Sequence, residues 1–110
     1  LVVIDSQKKE EIVNIGGEGF FLEMLDKFIA QAIEILGQIR SAKAAGNADQ
    51  AKSLLHKLKG SSLTIGADDF ARHVLRAYEK AQAGVMVEDE DLGLMDACLV
   101  ELQAHRKTLQ

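Results

Sequence analysis

Ala51-Lys52-Ser53-Leu54-Leu55-His56-Lys57-Leu58-Lys59-Gly60-Ser61-Ser62-Leu63-Thr64-Ile65-Gly66 carries apolar residues at helical spacing from end to end. Ala51, Leu54, Leu55, Leu58, Ser62 and Ile65 stack along one stripe, the pattern of a helix with one face in a core. Asn47, with Gln50 three residues on, resembles a capping box at its start, and Gly66 is placed to close it. His56 falls about 140° from the centre of the stripe, a direction that leads to water.

The same period continues on both sides. Asp5 or Ser6 is placed to cap a short helix through about Ile15, ended by Gly16 and Gly17. A longer helix then runs from about Glu18 to Ala45, with Phe21, Leu25, Phe28, Ala32, Ile35, Ile39 and Ala42 as one stripe and Leu22, Ile29, Ile33 and Leu36 widening it. At about 1.5 Å per residue it spans roughly 42 Å, more than its partners need. Gly46 reads as its stop. Beyond Gly66, Asp68 or Asp69 is expected to cap a helix carrying Phe70, Val74, Ala77, Tyr78 and Ala81 before Gly84. A last helix is predicted from about Asp91 to Leu109, with Leu92, Met95, Leu99, Leu102 and Leu109 inward. No segment alternates like a strand. Short connections between amphipathic helices make antiparallel neighbours, so the expected fold is all-α: an up-and-down antiparallel four-helix bundle with a short extra N-terminal helix, one domain over residues 1–110.

Composition narrows the function classes. The 47% hydrophobic and 27% charged content, without proline or a low-complexity stretch, is that of a soluble globular protein. A formal net charge of -4 argues against sequence-independent nucleic-acid binding, which rests on lysine and arginine contacts to phosphate. The greasiest segment, Gly19 to Gly37, is broken by Glu23, Asp26, Lys27, Gln31 and Glu34, so no run reaches the roughly 20 apolar residues of a membrane span. The single cysteine, Cys98, excludes an intramolecular disulfide and reads as a small core residue near Met95 and Leu102. The chain starts on Leu1, which is expected of a piece of a longer protein.

The helix neighbours of His56 single it out. Lys52 lies one turn before it, and Lys59, Gly60 and Leu63 lie in the turns after it. Glycine inside a helix costs about 1 kcal/mol against alanine, and neither a kink nor a cap accounts for Gly60. Removing a side chain one turn above an exposed imidazole clears a path for something bulky to reach it. The other candidates have plainer readings. His73 and His105 sit on different helices without cysteine or carboxylate at metal-ligand spacing, so no bound metal is expected. Glu88, Asp89, Glu90 and Asp91 lack the alternation of a calcium loop and read as a solvated turn ahead of a helix. Gly60-Ser61-Ser62 does not have Walker spacing, and the serines form neither a triad nor a nucleophile elbow with His56; they are read as small residues at a helix contact.

At Leu55-His56-Lys57-Leu58-Lys59-Gly60, followed after five residues by Gly66-Ala67, the chain resembles the histidine-containing phosphotransfer domains of multistep bacterial phosphorelays, whose motif is His-x-Leu-Lys-Gly and then Gly-Ala or similar. The resemblance extends to the Gly16-Gly17 break, the Gly46-Asn47 turn, the Tyr78-Glu79 pair closing the next helix, and the final helix. It implies that His56 accepts a phosphoryl group from a receiver-domain aspartate and passes it to another receiver domain. It further implies that Lys59 positions or neutralises the phosphoryl oxygens and that Gly60 leaves room for the receiver. Several members place a glutamine on the following helix to hold the imidazole, whereas here the comparable stretch offers Arg72, Arg76, Tyr78 and a late Gln82. Lys52 and Leu63 are the expected partner contacts. The domain needs no cofactor of its own, with Mg2+ expected on the receiver. It is expected to act as a monomer in the cytoplasm, its parent a hybrid sensor histidine kinase that can be anchored in the inner membrane. The competing class is a helical interaction or dimerisation module that binds receiver domains without phosphotransfer.

Overall fold

Asp5 opens the first helix: its carboxylate accepts the Lys8 amide at 3.1 Å, satisfying one of the amides a helix start leaves bare. The computed structural model, which describes residues 2–109, continues this into α1 (Ser6–Gly16), α2 (Glu18–Ala44), α3 (Ala48–Ile65), α4 (Asp68–Gln82) and α5 (Asp89–Thr108). Every element among the described residues is a helix. Gly17, at φ 91°, turns the chain sharply between α1 and α2 in a conformation that favours glycine. Asn47 opens α3 by accepting the Gln50 amide at 3.0 Å.

α2, α3, α4 and α5 form the bundle, and α1 packs beside α2 and α3. The 27 residues of α2 account for the 42 Å long axis of the molecule. The whole expected α2 stripe, from Phe21 to Ala42, is buried, as are Ala51, Leu55, Leu58, Ser62 and Ile65 of α3. Phe28 of α2 meets Phe70 of α4 edge-on, ring centroids 5.7 Å apart, which closes the core between these two helices. Ser62, fully buried, disposes of its hydroxyl by donating to the Lys59 carbonyl at 2.9 Å.

Several expectations are corrected. α4 begins without a side-chain cap: Ala67 is its N-cap, and Asp68 and Asp69 are in its first turn. The reason is the Gly66-Ala67 turn, which already reverses the chain. The Asp69 amide donates to the Val2 carbonyl at 3.0 Å, and the Asp5 amide donates to the Gly66 carbonyl at 2.8 Å. α4 also runs past Tyr78-Glu79 to Gln82. α5 starts at Asp89, two residues early, because Lys80 draws the acidic run into the structure by donating to Glu88 at 2.7 Å and Asp91 at 3.1 Å. Asp91 is thus buried rather than part of a solvated turn. Leu54 and Leu109 are half-buried. Ile33 is 52% exposed, since α5 approaches α2 less closely than α3 does and the two are joined by surface ion pairs, Asp26–Arg106 and Arg40–Asp96.

Candidate functional site

His56 emerges mid-way along α3, on the side away from the buried stripe. Leu55 and Leu58, both fully buried, fix the rotation of the helix and therefore the outward direction of His56. Among the described residues neither ring nitrogen is hydrogen-bonded, which leaves both open to chemistry from solvent. The ring has one aromatic neighbour, Tyr78 of α4, at 5.4 Å between centroids and tilted by 44°.

The structure brings Lys52, His56 and Tyr78 to one open depression of about 230 Å3, together with Asp49 and Ser53. Lys59, half-buried, does not reach into solvent above His56 but lays its ammonium over the Tyr78 ring, 4.6 Å from the centroid. Gly60 adds no bulk to this face: a Cβ built there meets no other atom within 4 Å. Gly19, Gly37 and Gly93 share that freedom, so what distinguishes Gly60 is its place one turn from His56. Leu63 is 50% exposed and lies outside the depression.

On the other flank of α3 an open groove of about 400 Å3 runs along α2, lined by Met24, Phe28, Ser61, Thr64 and Ile65 with Lys27 and Gln31 at its edge. Ser61 and Thr64 turn their hydroxyls back onto their own helix, donating to the Leu58 and Gly60 carbonyls. That leaves the groove largely apolar.

The residues with plainer expected readings stay out of this site. His73 and His105 are half-buried on α4 and α5. Among the described residues no group of three or more histidine, cysteine, aspartate or glutamate side chains is arranged to hold a metal ion. Burial, with lesser contributions from Asp69 and Glu101, pushes the Cys98 thiol up, away from the reactive thiolate. Among the described residues no helix is long and apolar enough to cross a membrane.

Of Arg72, Arg76, Tyr78 and Gln82, the residues the sequence offers for holding the imidazole, it is Tyr78 that the structure sets against the His56 ring, although the sequence also reads it as part of the α4 core stripe. Its signal was its position at the flank of that stripe, about 100° round from Ala77, with Lys59 on the side of α3 that faces α4.

This geometry lies within a segment, residues 23–105, that matches the family model of the Hpt domain. The chain belongs to the Hpt domain family. The fold is also similar to that of a rice protein described as a histidine-containing phosphotransfer protein, with a TM-score of 0.87 at 20% sequence identity over 98% of this chain and 79% of that one. No curated protein matches the sequence. Membership ties this Hpt chain to phosphotransfer in phosphorelay signalling, where Hpt domains meet receiver domains.

Proposed function

We propose that His56 is the phosphoacceptor of this Hpt domain, taking a phosphoryl group from the aspartate of one receiver domain and passing it to another. The observation that carries this reading is an imidazole with both nitrogens open to solvent, aimed outward by a buried helix face, within the segment that matches the family. In the forward step a ring nitrogen forms the P–N bond as the bond from phosphorus to the receiver's carboxylate oxygen breaks, and the carboxylate leaves with the electron pair. The return step is the reverse on a second receiver. Such transfer depends mainly on in-line approach and on neutralising the equatorial oxygens.

The placement of the neighbours supports a role for each. Lys59 has a reach that lets its ammonium leave the Tyr78 face and meet the phosphoryl oxygens. Gly60 keeps the turn after His56 free of side chain, so a whole receiver domain can close on the ring. Lys52 edges the depression beside His56 and faces the acidic pocket that a receiver presents around its aspartate. Leu63 offers an apolar contact further along α3. The domain supplies nucleophile and cation, while the receiver supplies its carboxylates and Mg2+. The parent chain is proposed to be a hybrid sensor kinase acting on the cytoplasmic side, with this segment monomeric.

The test is incubation with a receiver domain phosphorylated on its aspartate. Acid-labile, alkali-stable phosphate should then be found on this chain. A chain that binds the phosphorylated receiver but takes no label would be an interaction module instead.

A further inference from the structure

The ring of Tyr78 touches both groups to which the transfer reaction is assigned, and it is itself held at two ends. Its inner edge packs on the bundle core. At its outer end Gln82, one turn further along α4, donates from Nε2 to the Tyr78 hydroxyl at 3.3 Å. Against this fixed plane lie the His56 imidazole, tilted at 5.4 Å, and the Lys59 ammonium, 4.6 Å from the centroid.

A solvent-facing histidine on a helix otherwise has at least two χ1 wells and free rotation of its ring. A lysine one turn away loses even more rotamer freedom when it is used. An aromatic wall that both can lean on removes much of that freedom in advance. Edge-to-face or tilted ring pairs and cation–π contacts are each favourable enough to bias such populations without locking them. The packing of its inner edge on the core keeps the wall itself from swinging into solvent.

We propose that Tyr78 is the positioning residue of this site: its ring presets the orientation of the His56 imidazole and stations the Lys59 ammonium beside it before a phosphoryl group arrives. The proposal rests on His56 being the phosphoacceptor. Tyr78 makes no bond to the phosphoryl group; it acts through the two residues that do. Its removal therefore slows the transfer step within the docked complex and leaves docking alone.

Three variants test this: Tyr78→Leu, which removes the ring, Tyr78→Phe, which keeps it without the hydroxyl, and Lys59→Ala, which leaves the wall in place. Two measurements are made on each. The first is the NMR shift and rotamer averaging of the His56 Cε1 and Cδ2 protons in the free protein, which needs no phosphodonor. The second is single-turnover transfer from a phosphorylated receiver, resolved into receiver affinity and first-order rate. Tyr78→Leu should move the His56 protons to solvent-exposed values with an averaged rotamer. It should also slow the first-order step by about tenfold with affinity unchanged, the factor that loss of one aromatic contact can produce. Tyr78→Phe should keep both signals within about twofold of the parent, and Lys59→Ala should slow transfer while leaving the His56 shifts in place. Should leucine prevent folding, Tyr78→Met, of similar length and without a ring, replaces it.

Unchanged transfer in a folded ringless variant overturns the proposal. So does a loss confined to receiver affinity, which would make Tyr78 a docking contact, and so does a His56 ring already averaged in the parent protein. A parent chain that takes no phosphate at all defeats the acceptor reading instead, and the NMR arm then still decides whether Tyr78 holds the ring.

Discussion

An imidazole that faces water contributes little to packing, so His56 separates function from stability cleanly. His56→Gln should abolish phosphoryl acceptance from a receiver while changing stability by no more than about 0.5 kcal/mol, as calorimetry would show. Labelling that persists, or that moves to His73 or His105, would remove His56 from its role. Lys59 differs because its ammonium rests on Tyr78. Lys59→Ala should lose the charge that meets the phosphoryl oxygens, slowing transfer and shortening the life of the phosphorylated form, with the melting curve almost unmoved. At this scale the sequence was informative about direction, since Leu55 and Leu58 on one side of α3 put His56 on the other. It offered Tyr78 only as one of four residues of α4, with Arg72, Arg76 and Gln82, because contact across two helices has no periodicity to choose among them.

Two glycines show how an element and its function come apart. At Gly60 nothing lies within 4 Å of a built Cβ, so the helix does not require glycine there. Gly60→Ala should therefore stabilise α3 by about 0.5 to 1 kcal/mol. Gly60→Gln should keep or raise the melting temperature yet lower both receiver affinity and transfer rate, and a small phosphodonor should be impeded less than a receiver. Normal transfer from a receiver to that variant would refute the steric role. Gly66 is the opposite case, with φ at 81° and a built Cβ only 2.9 Å from the Lys8 Cβ. The Asp5 amide also bonds to its carbonyl, so the α3–α4 turn and the start of α1 are fastened at one point. Gly66→Ala should cost about 1 to 2 kcal/mol for the left-handed backbone alone, and more if Lys8 cannot move aside. Thermal melting with hydrogen exchange at the start of α1 would check both effects. A melting temperature equal to the parent's would show that the turn relaxes freely.

Across the whole molecule, α5 is fastened to α2 at two points along its length by ion pairs, Asp26–Arg106 and Arg40–Asp96. The hydrogen bond from Arg106 is the main cause that holds the Asp26 carboxyl below its usual range, with a smaller opposing effect of burial. A lowered folded value means that the unfolded chain binds more protons in acid. The stabilisation from this pair is thus fully present above the ordinary aspartate value of about 3.9 and is lost as pH falls through the lowered folded value. Arg106→Gln should lower the melting temperature by a small margin at pH 7, and the difference from the parent should close in strong acid, at about pH 2. A gap that stays constant from neutral to acid pH would mean that Arg106 contributes by packing rather than by charge.

Hydrophobic spacing is a local property, repeated every turn, and on that account the sequence by itself determined five helices, the buried stripe from Phe21 to Ala42, the cap at Asn47 and the outward direction of His56, while it left the first cap open between Asp5 and Ser6. Tertiary structure decided what no single helix contains. The packing of α4 against α3 set Tyr78 beside His56 and under Lys59, and the reach of Lys80 drew Asp91 out of water. The looser seam between α2 and α5 left Ile33 exposed although its helix period marks it as apolar. Such contacts depend on how far each helix is rotated and how closely it approaches, which is settled only when several buried faces are satisfied at once.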